Sequence, residues 1–204
     1  MFYGIAANKS LAPTQFLYSL RVRMSPATGT RIPLTIKLAL ALVSVIAYSV
    51  IAELADRFEA IESVPDTGLW FHYVVGAVFG ALVLAPYLGA RQRFIRFIGL
   101  CIASAAIYWL AVWFVTDGPI GYDAVTAFVI AGAGAALLSG IAVVAIAPRS
   151  FDLRLAGFTL VAGALGGAAF ELKFAFDQYL LAGHFAWQML TCLALHFGLR
   201  TQSA

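Results

Sequence analysis

From Ala124 to Ala147 the chain reads AVTAFVIAGAGAALLSGIAVVAIA, with no charged residue between Asp123 and Pro148-Arg149. A run of this length spans the roughly 30 Å of a bilayer's hydrocarbon at a rise of about 1.5 Å per residue. Its apolar residues are continuous rather than alternating, and Ala dominates, so it reads as a helix and not as a barrel strand. Five further stretches have the same character: Leu34–Leu54, Leu69–Leu88, Phe94–Val115, Leu155–Phe176 and Tyr179–Leu199. The expected fold is all-α: a polytopic integral membrane protein with six transmembrane helices.

Composition agrees. The 204 residues are 62% hydrophobic and 11% charged, where soluble domains carry about 45–50% and about 25%. Such a chain cannot build a water-facing exterior over most of its length. The net charge of +3 is not gathered on a soluble basic module, and no nucleic-acid partner is expected. Cys101 and Cys192 fall inside apolar runs, with no CxxC pair and no disulfide framework. Nucleophile elbows and phosphate loops are absent, and no motif names a cofactor.

The charges sort by connection. Lys9, Arg21, Arg23, Arg31 and Lys37 precede or open the first span, Arg91, Arg93 and Arg96 lie in the second connection, Arg149 and Arg154 in the fourth, and Arg200 in the tail. Of the 13 bases only Arg57 and Lys173 fall elsewhere. Every acid except Asp152 occupies the opposite set of connections. Under the positive-inside rule both termini are cytoplasmic, with the chain in a cell inner (plasma) membrane. The expected organisation is a cytoplasmic or interfacial segment 1–31, a membrane domain 32–199 and a tail 200–204. Residues 1–31 have no apolar core after a basic start and are expected to stay attached, with Met24 an alternative start.

Small residues mark close helix contacts in lipid. Gly76–Gly80, Gly163–Gly167 and the AGAGAALLSG run Ala131–Gly140 are the candidates. Because the stripes His72–Gly76–Gly80 and Gly163–Gly167–Glu171 mirror each other, an inverted three-plus-three repeat is a further expectation. Whether these faces serve packing within the chain or with partners is open. A homo-oligomer or a larger membrane complex is the expected partner beside the lipid.

Ionisable groups inside spans are the default functional candidates. Glu53, His72, Glu171 and His184 lie near the outer ends of their spans, and a converged set would form a carboxylate–imidazole site for a proton or a divalent metal. His72, Glu171 and His184 are its metal-ligand candidates. His72 and His184 at similar depth would also permit a bis-histidine haem. The alternative is four separate interfacial residues bonded to loops, headgroups or backbone. In the last span His184, Gln188, Cys192 and His196 recur at steps of four and form a polar stripe expected to face the bundle; His184 and His196 are about 18 Å apart along the axis, too far to share an ion. Tyr108, Trp109, Trp113 and Phe114 read as an interfacial aromatic belt, and Lys173 with Asp177 as an i, i+4 pair.

One local resemblance exists. Asp177 followed by Gly183-His184-Phe185-Ala186-Trp187-Gln188 resembles the last-helix HxxWH region of the alkaline ceramidase-like membrane hydrolases, over that short stretch. The resemblance implies a zinc-binding role for His184, with His72 in the place of another family histidine and Ala52-Glu53-Leu54 similar to the acidic end of the family's first helix. Gln188 stands where the motif has its second histidine, and six spans stand against the family's seven.

The functional expectation is a small membrane subunit or scaffold, or a transporter-like unit. The alternative is a membrane-embedded, metal-dependent lipid hydrolase with an outer-side His and carboxylate site. A transporter needs polar groups near the midplane, for which the candidates are Ser104, Ser139, Thr159, Gln188 and Cys192.

Overall fold

A computed structural model describes residues 32–59, 67–88, 93–118, 122–147, 151–171 and 180–200. The segment 1–31, the pair Lys173 and Asp177 and the tail from 201 lie outside the described residues. Every element described is helical: α1 (Leu34–Glu59), α2 (Thr67–Phe79), α3 (Arg93–Thr116), α4 (Ala124–Ile146), α5 (Leu153–Ala168) and α6 (Leu180–Arg200). A π turn (Gly80–Leu84) and a 3-10 turn (Ala85–Tyr87) extend α2, and a second 3-10 turn (Ala169–Glu171) extends α5.

Among the described residues four helices are long and apolar enough to cross a membrane: Leu34–Ala55, Trp70–Tyr87, Phe94–Thr116 and Ala124–Ile146. The apolar α5 is shorter, and α6 carries His184, Gln188, Thr191 and His196 among its 21 residues.

Each helix packs on the next, and α6 returns to α1, so the six form a closed ring. Neighbours run antiparallel. Tyr48 meets His184 at one end of α1 and α6, whereas Lys37 covers Tyr87, which bonds Cys192, at the other. The end of the bundle holding Tyr48 and His184 is called the upper end below.

Inward faces follow the helical period. On α1, Lys37, Ala41, Ser44, Tyr48 and Ala55 are buried, while Ile36, Val43, Ile46 and Val50 on the opposite face are exposed. A chain in water would bury those aliphatics, so this face is matched to hydrocarbon. Asp123 and Asp152 cap α4 and α5 by accepting from the N–H of Thr126 and Leu155. The Thr126 N–H and hydroxyl together hold the Asp123 carboxyl below the usual carboxylate range.

Pro86 bends the lower end of α2. It has no N–H to donate, and its ring would strike the carbonyl of Leu82, so the α ladder cannot continue through it. The chain widens instead, Ala85 N–H reaching Gly80 O across a π turn, before ending at extended Leu88. The widened turn leaves Tyr87 buried against α6.

The glycine stripes are used within the chain. A Cβ on Gly76 would lie 2.6 Å from Ala105 Cα, and one on Gly80 would lie 2.8 Å from Ser104 Cβ, so α2 and α3 touch nearly backbone to backbone. Gly132, Gly163 and Gly167 do the same between α4 and α5. A half-turn relating α1–α3 to α4–α6 would carry the α2 contact with α3 onto a contact of α5 with α6. The Gly163–Gly167 stripe meets α4 instead, so the matching stripes do not support the expected inverted repeat.

Candidate functional site

Four helices and one turn bring their ring side chains together at the upper end. The His184 ring of α6 lies against Tyr48 of α1 with centroids 3.8 Å apart. Tyr108 of α3 is 5.9 Å away, its hydroxyl 3.3 Å from His184 Nε2. Phe170, on the turn after α5, meets the imidazole edge-on at 4.9 Å. His72 of α2 joins through Tyr108, at 6.1 Å between rings.

Local sequence explains the fit. Gly183 leaves room for Phe170, whose Cγ would be 2.6 Å from a Cβ there. Gly76 leaves room for Tyr108, whose Cβ would be 2.8 Å from its own. Two glycines thus seat the two rings that flank the histidines. Tyr108 is therefore a site residue with its side chain buried, which corrects its assignment to an interfacial belt; Trp113, by contrast, is exposed.

The expected ligands divide. His72 and His184 are brought into one cluster. Glu171 directly follows Phe170, so its backbone is at the same end, but its side chain lies outside the described residues. Glu53 is not part of the cluster: it is exposed and paired with Arg57 at 2.9 Å on the same helix. Among the described residues no group of three or more His, Cys, Asp or Glu side chains forms a metal cage.

The polar atoms left over are informative. His72 Nδ1, His184 Nδ1, Ser104 Oγ, Gln188 Oε1 and Thr191 Oγ1 are buried and have no hydrogen-bond partner among the described residues. Buried polar groups are nearly always satisfied, so each points to water or a ligand. On α6 they step inward from His184 by about 6 Å to Gln188 and about 10 Å to Thr191. Ser44, buried one turn below Tyr48 on antiparallel α1, lies at the depth of Gln188. Farther down, Tyr87 donates to Cys192 O at 2.7 Å, and Lys37 Nζ sits 3.8 Å over the Tyr87 ring.

No family model, characterised protein or solved structure matches the chain. The site must be read from its own chemistry.

Two sequence candidates drop out of that chemistry. Ser139 and Thr159 are buried, but each donates to a carbonyl of its own helix, Ala135 O and Leu155 O, both at 2.8 Å. Tyr48, Ser44 and Thr191 were not among the candidates. On α1 the signal was available: Lys37, Ala41, Ser44 and Tyr48 are small or polar at helical spacing on an otherwise bulky aliphatic helix.

Proposed function

We propose that the chain is a small transporter-like unit of the inner membrane, with six spans and both termini cytoplasmic. Its working element is the polar lining contributed by α1, α3 and α6. The observation that carries this reading is the pair Gln188 and Thr191, fully buried at mid-depth with unpartnered oxygens. A scaffold has no use for such groups, which are costly in hydrocarbon, whereas a path across the membrane requires them. The Gly76–Gly80 and Gly163–Gly167 stripes are occupied by its own helices.

The test is permeability of vesicles holding the full chain, with protons followed by a trapped dye, ions by conductance and small neutral solutes by swelling. At least one species should cross faster than in protein-free vesicles, and a Gln188→Leu, Thr191→Val double variant should slow it. Vesicles as tight as protein-free ones to every species would overturn the proposal.

A second reading is a metal-dependent lipid hydrolase, favoured by one observation: His72 and His184 share a cluster and each has an unpartnered Nδ1. Two imidazole nitrogens and a carboxylate are a common zinc donor set, and Glu171, next to Phe170, would complete it. The metal would supply a water acidic enough to attack an ester or amide at neutral pH. Elemental analysis of the purified protein should then give one zinc per chain, lost in His184→Ala. A metal-free wild type would remove this reading.

A further inference from the structure

We infer that the species this path carries is the proton. The inference rests on the transport reading and names its substrate.

Packing sets the first limit. Phe79 and Trp187 fill the middle of the ring, 2% and 4% exposed, with centroids 4.9 Å apart. A Cβ on Gly166 would lie 2.5 Å from Trp187 Cα, so α5 and α6 are in close contact at this level. A cavity of about 150 Å³ between α3 and α4 is lined by apolar side chains such as Ile107, Leu110, Ile130 and Leu138. Its lining contains none of the unpartnered polar groups. A hydrated ion or organic solute would have to displace the Phe79–Trp187 pair. A proton needs only consecutive hydrogen bonds, which single waters can complete.

The chemistry of the upper cluster fits that need. His184 faces Tyr48 of α1, Tyr108 of α3 and Phe170 after α5, with His72 of α2 beyond Tyr108. Its Nε2 lies at the Tyr108 hydroxyl, and its Nδ1 is buried and unpartnered. An imidazole can take a proton at one nitrogen and release another from the second, ending neutral in the other tautomer. No bond between heavy atoms is made or broken. Below it, Gln188 Oε1 and Ser104 Oγ, each one turn from the cluster on its own helix, and Thr191 Oγ1 about one turn deeper lack partners. Steps of about 6 Å or less along α6 are short enough for one or two waters to bridge, each needing the polar contacts these oxygens offer. The line ends at the Tyr87 hydroxyl and Lys37 amine, proton-bearing groups toward the lower face.

The experiment uses the full chain in vesicles with a potassium gradient, valinomycin and a trapped pH dye. Wild type should acidify the lumen about tenfold faster than protein-free vesicles, as a buried histidine relay would allow. His184→Phe, which keeps a ring in the cluster, and Gln188→Met, which keeps the volume, should both fall close to the protein-free rate. Thr159→Val, whose hydroxyl is engaged within its own helix, should keep the wild-type rate. Thermal melting confirms that each variant is folded. Proton uptake at the protein-free rate in wild type, or at the wild-type rate in folded His184→Phe and Gln188→Met, overturns the proposal. If protons fail while a neutral solute or another ion crosses, the substrate is wrong and transport stands. If nothing crosses, both fall.

Discussion

Gly167→Leu is expected to abolish the folded bundle. A Cβ at this position would land on the carbonyl of Phe128 and within 3.1 Å of Val129 Cα, both backbone atoms of α4. Side chains can rotate away from an intruder, but a helix backbone can only move as a body. Leucine adds three more carbons beyond the Cβ, so α4 and α5 would have to part along their whole contact. That separation also pulls Gly132 from Gly163, where a second backbone contact is equally close. Overpacking alone costs about 1–3 kcal/mol where neighbours can adjust; here they cannot, and whole-protein stability is only about 5–15 kcal/mol. The expected result is loss of the monodisperse peak in detergent size exclusion. Gly134→Ala and Gly157→Ala provide the contrast, because nothing lies within 4 Å of a Cβ at either site. Both should fold normally, with stability unchanged or raised by up to about 1 kcal/mol from helix propensity. A folded Gly167→Leu with a wild-type melting temperature would mean that α4 and α5 do not pack this closely.

The helices were legible because one physical demand, a continuous apolar surface, writes itself into composition. Each of the six expected stretches holds a helix among the described residues, although four meet the length and hydropathy of a membrane span by themselves. The site was legible only in part. His72 and His184 stand out as rare ionisable groups in apolar runs. Tyr108 does not, because an aromatic near a span's end looks the same whether it faces headgroups or a neighbouring histidine. Its orientation is set by Gly76 on another helix, which is a tertiary fact. Ser139 and Thr159 mislead in the opposite direction. A hydroxyl in a helix can bond the carbonyl four residues back, as both do, and sequence does not distinguish that from a hydroxyl facing a path. The glycine stripes announce close approach but not the partner, and only the contacts assign Gly76 to α3 and Gly163 to α4.

Trp187→Ala is expected to cost about 3–5 kcal/mol, the usual range for truncating a buried tryptophan, and to remove the polar line with it. Trp187 is 4% exposed, donates Nε1 to Gly132 O of α4 at 3.1 Å, packs on Phe79 of α2 and lies against Gly166 of α5. It therefore ties α6 to three other helices from one position. At 3.6 residues per turn Trp187 lies about 60° around α6 from His184, while Thr191 and Gln188 stay within about 40° of it. Anchoring the indole thus fixes which way the histidine and both oxygens point. Trp187→Phe separates packing from hydrogen bonding: it keeps a ring beside Phe79 but drops the bond to Gly132 O, which also accepts within its own helix. Its stability loss should be nearer 1 kcal/mol. Thermal melting gives the stabilities, and vesicle flux reads the site. Because rotation of α6 damages the line without unfolding the ring, flux in Trp187→Phe should fall by a larger factor than its melting temperature alone predicts. Wild-type flux in a measurably destabilised Trp187→Phe would show that the orientation of α6 is held elsewhere, with the Tyr48 contact on His184 the next place to look.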